Sequence, residues 1–99
     1  MTKIKEPFNQ EVIDLAGFFK ILSHPARISI IKFLENRDAC ICNDIVQELP
    51  LAQATVSQHL KALKEAGIIQ GNITPPSVKY CLNHDKWQQT RLLLKKFLD

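Results

Sequence analysis

The sequence has few of the features that enzymes and membrane proteins depend on. Its 99 residues include three glycines, which form no phosphate-binding loop, and three histidines, which lie far apart at His24, His59 and His84. No serine or cysteine has an obvious base assigned to it. No segment approaches the roughly 18 apolar residues of a membrane span, and no apolar run follows the first lysines as in a secretory signal. We therefore expect a cytoplasmic protein without a membrane span, which is not an enzyme.

Cysteine and net charge are also sparse. The three cysteines are an odd number, and two of them, Cys40 and Cys42, stand one residue apart. This is a poor arrangement for a disulfide framework, so we expect reduced thiols. A net charge of +3 permits nucleic-acid binding without indicating it. The length predicts one small domain over residues 1–99, with a flexible arm at 1–8, that gains stability by dimerising.

Residues 51–67, LAQATVSQHLKALKEAG, are the most informative segment. Val56, Leu60 and Leu63 recur at helical spacing and form one apolar stripe, which predicts an amphipathic helix anchored on that side. Short polar residues cluster near its beginning and occupy the other faces. A helix of this kind fits the major groove of DNA. The competing interpretation is an ordinary amphipathic surface helix.

The segments on either side of this helix predict the order of helices and strands along the chain. We predict helices at 9–22, 25–36, 43–49 and 51–67, a short extended segment at 39–41, strands at 68–74 and 78–82, and a last helix capped by Asn83 or Asp85. Pro50 leaves only a tight turn between two helices, and Gly67 ends the second of them. The following hairpin makes this a winged helix-turn-helix fold, mainly α with a small β-hairpin.

Two helices carry further detail in their patterns. Ser23 or His24 is available to cap the second helix before Pro25. Its expected core positions are Ile28, Ile31 and Leu34 on one edge, with Ile30 and Phe33 on the other. The first and last helices have apolar residues on more than one face. Each is therefore expected to contact two partners, such as its own core and another subunit.

The runs FKILSHPARISIIKFLE, CICNDIVQEL and LAQATVSQHLKALKEAGII, followed by a hairpin and a terminal helix, resemble the ArsR/SmtB family of bacterial winged-helix repressors. The most specific part is TVSQHLKALKEAG at 55–67, and SHPAR at 23–27 supports it independently. The resemblance implies a homodimer, paired through the first and last helices, on a palindromic operator in double-stranded DNA. An inducer would release it, and we expect a repressor of a resistance or stress operon that needs no cofactor to bind DNA.

The predicted helix at 51–67, which the resemblance implies is the recognition helix, supplies most of the candidate DNA contacts. A glutamine amide can pair bidentately with adenine, while hydroxyls and lysines reach bases or phosphates. The candidates are Gln53, Thr55, Ser57, Gln58 and His59 for the groove, and Lys61, Lys64 and the hairpin's Lys79 for the backbone. The family's wing typically carries glycine and arginine at its tip, whereas this one has Thr-Pro-Pro-Ser at 74–77. We therefore expect its wing to contribute less affinity.

Cys40-Ile41-Cys42 resembles the metal box of the family, in which Cys-Val-Cys-Asp-Leu supplies ligands, although one extra residue follows Cys42 here. Two such thiolates can hold As(III) or a soft metal ion. The remaining thiol, Cys81, lies on the strand face opposite Tyr80 and is the candidate third ligand. Thiol oxidation or persulfide sensing, and structural cysteines with an unrelated signal, stay open. So does a protein-interaction module of the same fold.

Overall fold

The computed structural model describes residues 7–37, 40, 49–73 and 78–99. These ranges contain α1 (Gln10–Ile21), α2 (Pro25–Glu35), α3 (Gln53–Glu65), β1 (Ile69–Asn72), β2 (Lys79–Leu82) and α4 (His84–Leu98). Each of these six elements was predicted. The extended segment at 39–41, the short helix at 43–49, the hairpin tip at 74–77 and the arm at 1–8 lie wholly or mostly outside the described residues. None of the described helices is both long and apolar enough to cross a membrane.

The helices α1, α2 and α4 begin after residues whose side chains replace missing backbone partners, whereas Ala52 before α3 makes no such bond. Asn9 caps α1 and Asn83 caps α4, each by accepting a hydrogen bond from a first-turn N–H. His24, one of the two caps predicted for α2, uses ring Nδ1 to accept from the N–H of Ala26 at 3.0 Å. Pro25 follows at the first helical position, where no N–H is needed. The predicted caps of α2 and α4 are thereby resolved to His24 and Asn83.

Gly67 ends the recognition helix α3, as predicted. Its φ of +79° is a left-handed conformation that glycine adopts without a side-chain clash. The N–H of Gly67 donates to the carbonyl of Lys64 at 2.9 Å, and the N–H of Ile68 donates to that of Leu63 at 3.0 Å. This pair of bonds is a Schellman motif, and the two apolar residues that it joins are both fully buried. The turn therefore leads the chain directly from α3 into β1.

The core lies between α2, α3 and the hairpin. Its members are Ile30, Ile31, Leu34, Val56, Leu60, Leu63, Ile68, Ile69, Tyr80 and Leu82. The predicted stripe of α3 is confirmed in full. In α2 the prediction is wrong for Ile28, which is 38% exposed. The buried face of α2 is centred on Ile30 and Leu34, and Ile28 lies roughly 200° around the helix from Ile30.

The hairpin is antiparallel, and its pairing runs from Ile69 opposite Leu82 to Asn72 opposite Lys79. In β2 the buried side chains alternate with exposed or half-buried ones, which confirms the predicted orientation of this strand. Gly71 has a φ of +115°, and a Cβ at this position would collide with the carbonyl oxygen of Lys79. Only glycine fits there, because the two strands approach closely.

The first and last helices cover little of each other. No residue of α1 is buried, and in α4 only Thr90 is buried. The large apolar side chains that these helices expose are Val12, Ile13, Phe19, Leu92, Phe97 and Leu98. The two helices meet through an edge-to-face contact between Phe19 and Phe97, whose ring centres are 5.8 Å apart. Their predicted excess of apolar surface is therefore confirmed in the single chain.

Candidate nucleic-acid interface

The recognition helix α3 has one face in the core and presents the opposite face to solvent. Gln58 and Lys61, three residues apart, share this exposed face on the side away from Val56 and Leu63. Of the other predicted contacts on α3, Gln53 and Lys64 are exposed, while Thr55 and Ser57 are half-buried. The amide and the ammonium group are thus free to meet a ligand together.

His59 differs from the other predicted groove residues because its side chain is turned inward. It is only 8% exposed, and its Nδ1 accepts a hydrogen bond from Nε of Arg27 at 3.1 Å. The prediction that His59 occupies an outer face of the helix is wrong, since position 59 lies beside the apolar stripe at 56, 60 and 63. Arg27 was not predicted as its partner. The SHPAR motif contains this arginine, but no sequence spacing relates it to His59.

The hairpin extends the exposed surface with one further cation. Lys79 is exposed at the first residue of β2 and pairs with Asn72 at the last paired position before the tip. Its contact to a nucleic-acid backbone stays a prediction. The proline-containing tip at 74–77 lies outside the described residues.

The cysteines are arranged differently from the expectation. Cys40 and Cys81 form a disulfide, with their Cα atoms 4.3 Å apart, so the prediction of reduced thiols is wrong for this pair. The fold brings Cys40 next to Cys81 on β2, across 41 positions of sequence, and such proximity has no signature in cysteine spacing. Cys42 lies outside the described residues. Within the described ranges, no three histidines, cysteines or carboxylates are grouped to hold a metal ion.

This combination of elements defines a class of protein. A helix with a polar exposed face follows two helices and is itself followed by a β-hairpin and a terminal helix, which is the arrangement of a winged helix-turn-helix domain.

Comparison with known proteins agrees with this class. Residues 24–70 match the family described as bacterial regulatory protein, arsR family. The chain is 38% identical over 77 residues to the HTH-type transcriptional repressor SmtB of Mycobacterium tuberculosis, a match covering 77% of this chain and 56% of that protein. It is 34% identical over 79 residues to the cadmium resistance transcriptional regulatory protein CadC of Listeria innocua, with 79% and 66% covered. The chain belongs to the ArsR/SmtB family.

A solved structure shows the same fold. The transcriptional repressor BigR from Xylella fastidiosa superposes with a TM-score of 0.66 at 23% identity, covering 90% of this chain and 85% of that one. The chain spans less than two thirds of the length of the two curated relatives named above. This chain and BigR therefore share a fold although their sequence identity is low.

Proposed function

We propose that this protein is a sequence-specific DNA-binding transcriptional repressor. The observation that carries the proposal is the position of α3, whose apolar residues are buried while Gln58 and Lys61 face outward together. An amide reads base edges and an ammonium group binds phosphates, so one exposed helix face supplies both kinds of contact. The relatives SmtB and CadC, named as transcriptional regulators, support this proposal.

The repressor acts as a homodimer on a palindromic operator. The apolar side chains left exposed on α1 and α4 support a second copy as the partner, because a single chain does not cover them. A two-fold dimer places two recognition helices at half-sites about one helical turn apart. No cofactor is required for this contact, and the exposed lysines Lys61, Lys64 and Lys79 serve the phosphates.

The division of labour on DNA can be tested with two variants. Duplexes selected from a random pool are titrated at several salt concentrations with wild type, Gln58→Ala and Lys79→Ala. Lys79→Ala should weaken binding equally on all sequences and reduce the salt slope by about 1, since one phosphate contact is lost. Gln58→Ala should relax preference at one base pair by about 1–3 kcal/mol. Lys32→Ala, an exposed lysine on α2, is the control for charge alone.

Two outcomes would contradict this proposal. Equal losses on every duplex for both variants would exclude base recognition by Gln58. Failure of the wild-type protein to bind any duplex from the pool would favour a protein-interaction module, in which the same helix face contacts a protein partner.

We further propose that the inducer is As(III) or a soft metal ion, held by Cys40 and Cys42 with Cys81 as a further thiol. The short distance between Cys40 and Cys81 supports this set, because two soft sulfur donors then lie side by side once reduced. As a disulfide these two sulfurs are not thiolate ligands, so binding requires the reduced protein. The described residues supply two of the three donors. The name of CadC, a cadmium resistance regulator, favours the same chemical class.

Direct metal binding tests this assignment. Arsenite and Cd(II) are titrated into the reduced protein, and the ultraviolet absorbance of thiolate–metal bonds is recorded beside release of DNA. Wild type should show both signals, and Cys40→Ser should lose both. Absence of both signals in the reduced wild type would contradict the metal proposal. An unchanged response of Cys40→Ser would place the site elsewhere.

A second candidate signal is thiol oxidation, and the Cys40–Cys81 disulfide is the observation that favours it. Two thiols would lose two protons and two electrons to a peroxide, which is reduced to water and the corresponding alcohol or a second water. This bond ties the segment after α2 to the wing. A difference in DNA affinity between the oxidised and reduced protein, abolished in Cys81→Ser, would support oxidation as the signal; equal affinities would exclude it.

A further inference from the structure

Two hydrogen bonds from Arg27 join α1, α2 and α3 behind the face of α3 that carries Gln58 and Lys61. Nε of Arg27 donates to Nδ1 of His59 on α3 at 3.1 Å. Another nitrogen of the same guanidinium, Nη1, donates to the carbonyl oxygen of Ile21 at the end of α1, at 3.2 Å. One planar side chain at the beginning of α2 therefore holds both neighbouring helices. A guanidinium suits this task because its donors are rigidly spaced.

A second histidine, His24, forms a cluster with Arg27 and His59. The ring of His24 lies against the ring of His59, with centres 4.2 Å apart and planes inclined by 41°. His24 uses its own Nδ1 to cap α2 through the N–H of Ala26. Both hydrogen bonds have a ring nitrogen as acceptor, so each requires an imidazole without a proton on Nδ1. A proton on Nδ1 of His59 would therefore remove the hydrogen bond from Arg27.

The surroundings of His59 oppose a positive charge on its ring. Burial lowers the pKa of His59 below its ordinary value of 6.5, and a positive charge on His24 or on Arg27 lowers it further. These are the groups in the described part of the chain whose charges act on His59, and neither is a carboxylate. His59 consequently stays neutral at pH 7.

We propose that Arg27 and His59 are positioning residues for the recognition helix, and that discrimination between operator and other DNA is lost when His59 is protonated. This inference rests on the proposed DNA-binding function. A proton on Nδ1 turns the acceptor into a donor and places two cations in contact. The tie between α2 and α3 is then lost, and the outer face carrying Gln58 is no longer held at one angle to the wing. The hydrogen bonds between a side-chain amide and a base edge depend on this angle, while contacts to phosphates tolerate a change in it.

The quantity to measure is the ratio of affinities for two duplexes, the selected operator and a random sequence of equal length. An added positive charge strengthens binding to any duplex and cancels in this ratio. A displaced helix α3 weakens binding to the operator alone. As the pH is lowered from 7.5 until nitrogen NMR shows Nδ1 of His59 protonated, the ratio should fall about 10- to 100-fold for wild type, as expected for one lost hydrogen bond to a charged group. Circular dichroism at each pH checks that the chain stays folded.

Matched variants assign the effect to His59. His59→Gln removes the titrating group, so its ratio should not change with pH. His84→Gln, at an exposed histidine at the start of α4, should fall like wild type. Arg27→Lys keeps the charge but cannot make both observed bonds, so its ratio should already be low at pH 7.5. Nitrogen NMR of wild type should show Nδ1 of His59 unprotonated at pH 7.5, a measurement that needs no DNA.

The outcomes separate the two proposals. A wild-type ratio that stays constant while nitrogen NMR shows His59 becoming protonated, an equal fall in His59→Gln, or a protonated Nδ1 at pH 7.5 would overturn the positioning role. Absence of DNA binding by wild type at pH 7.5 would instead overturn the proposed repressor function. Should His59→Gln fail to fold, the ratio of Arg27→Lys at pH 7.5 and the NMR measurement decide the matter: a wild-type ratio in the variant contradicts the proposal.

Discussion

The unit formed by α2, α3 and the hairpin is stabilised differently from the pair formed by α1 and α4. The first unit contains the whole buried apolar cluster and the Schellman turn. The helix pair buries Thr90 alone and leaves Leu92 56% exposed. A folded unit of this kind can present the recognition helix by itself, whereas the helix pair has apolar surface that water disfavours. This difference supports the proposal that the first unit reads DNA and that the helix pair contacts a second copy.

The largest effect should come from the core. Leu63→Ala removes a fully buried side chain beneath the end of α3 and should lower the free energy of unfolding by about 2–5 kcal/mol. Ile28→Ala, on the outward face of α2, should cost less than about 1 kcal/mol. Urea denaturation of both variants measures the difference. Equal losses would mean that α2 is buried on a different face.

The disulfide should contribute somewhat less to the same unit. Reduction should lower the unfolding free energy by about 2–4 kcal/mol, because the bond closes a long loop of the unfolded chain. Cys81→Ser should be insensitive to reductant, and Cys42→Ser should respond like wild type. Denaturant titrations with and without dithiothreitol test this. A reductant response in Cys81→Ser would show that another pair of cysteines carries the bond.

The helix pair should be sensitive to an added charge without loss of the fold. Leu92→Glu places a carboxylate on an exposed apolar residue of α4 and should weaken the dimer about 10- to 100-fold. Gln70→Glu adds the same charge at an exposed position of the hairpin and should leave the dimer intact. Sedimentation equilibrium gives both constants. A dimer unaffected by Leu92→Glu would place the interface away from this residue.

The smallest effect should come from an exposed contact between the two parts. Nε1 of Trp87 on α4 donates to Glu35 on α2 at 2.9 Å, and Arg91 lies 3.5 Å from the same carboxylate. Glu35→Gln keeps an acceptor for the indole and loses an exposed ion pair, so the free energy of unfolding should fall by about 0.2–1 kcal/mol. Glu65→Gln is the control. A loss above about 2 kcal/mol by thermal denaturation would mean that the parts fold as one tightly coupled unit.

The sequence predicts the elements well because their signals are local. Helical spacing located the buried stripe of α3, and Gly67 marked its end. The face of α2 was less predictable, since apolar residues occur at Ile28 as well as Ile30 and only packing distinguishes them. The predicted strands were longer than β1 and β2 as described. Residue 68 belongs to the turn that ends α3, so the strand starts one position later.

The candidate site was predictable where exposure follows periodicity and unpredictable where it depends on distant contacts. Gln58 and Lys61 are exposed as expected. His59 lies at the border of the stripe, and its burial depends on Arg27, 32 positions earlier. The partner of Cys40 is likewise set by the approach of β2. Such pairings arise from the tertiary fold, and no spacing of residues along the chain encodes them.

The stoichiometry of the complex with DNA is the decisive test of a repressor that binds its operator as a dimer. Sedimentation velocity of the reduced protein with a duplex selected from a random pool gives the mass bound per duplex. We expect two chains on one palindromic duplex, and one weakly bound chain on a duplex carrying a single half-site. Equal affinity for both duplexes with one chain on each, or no complex with either, would contradict it.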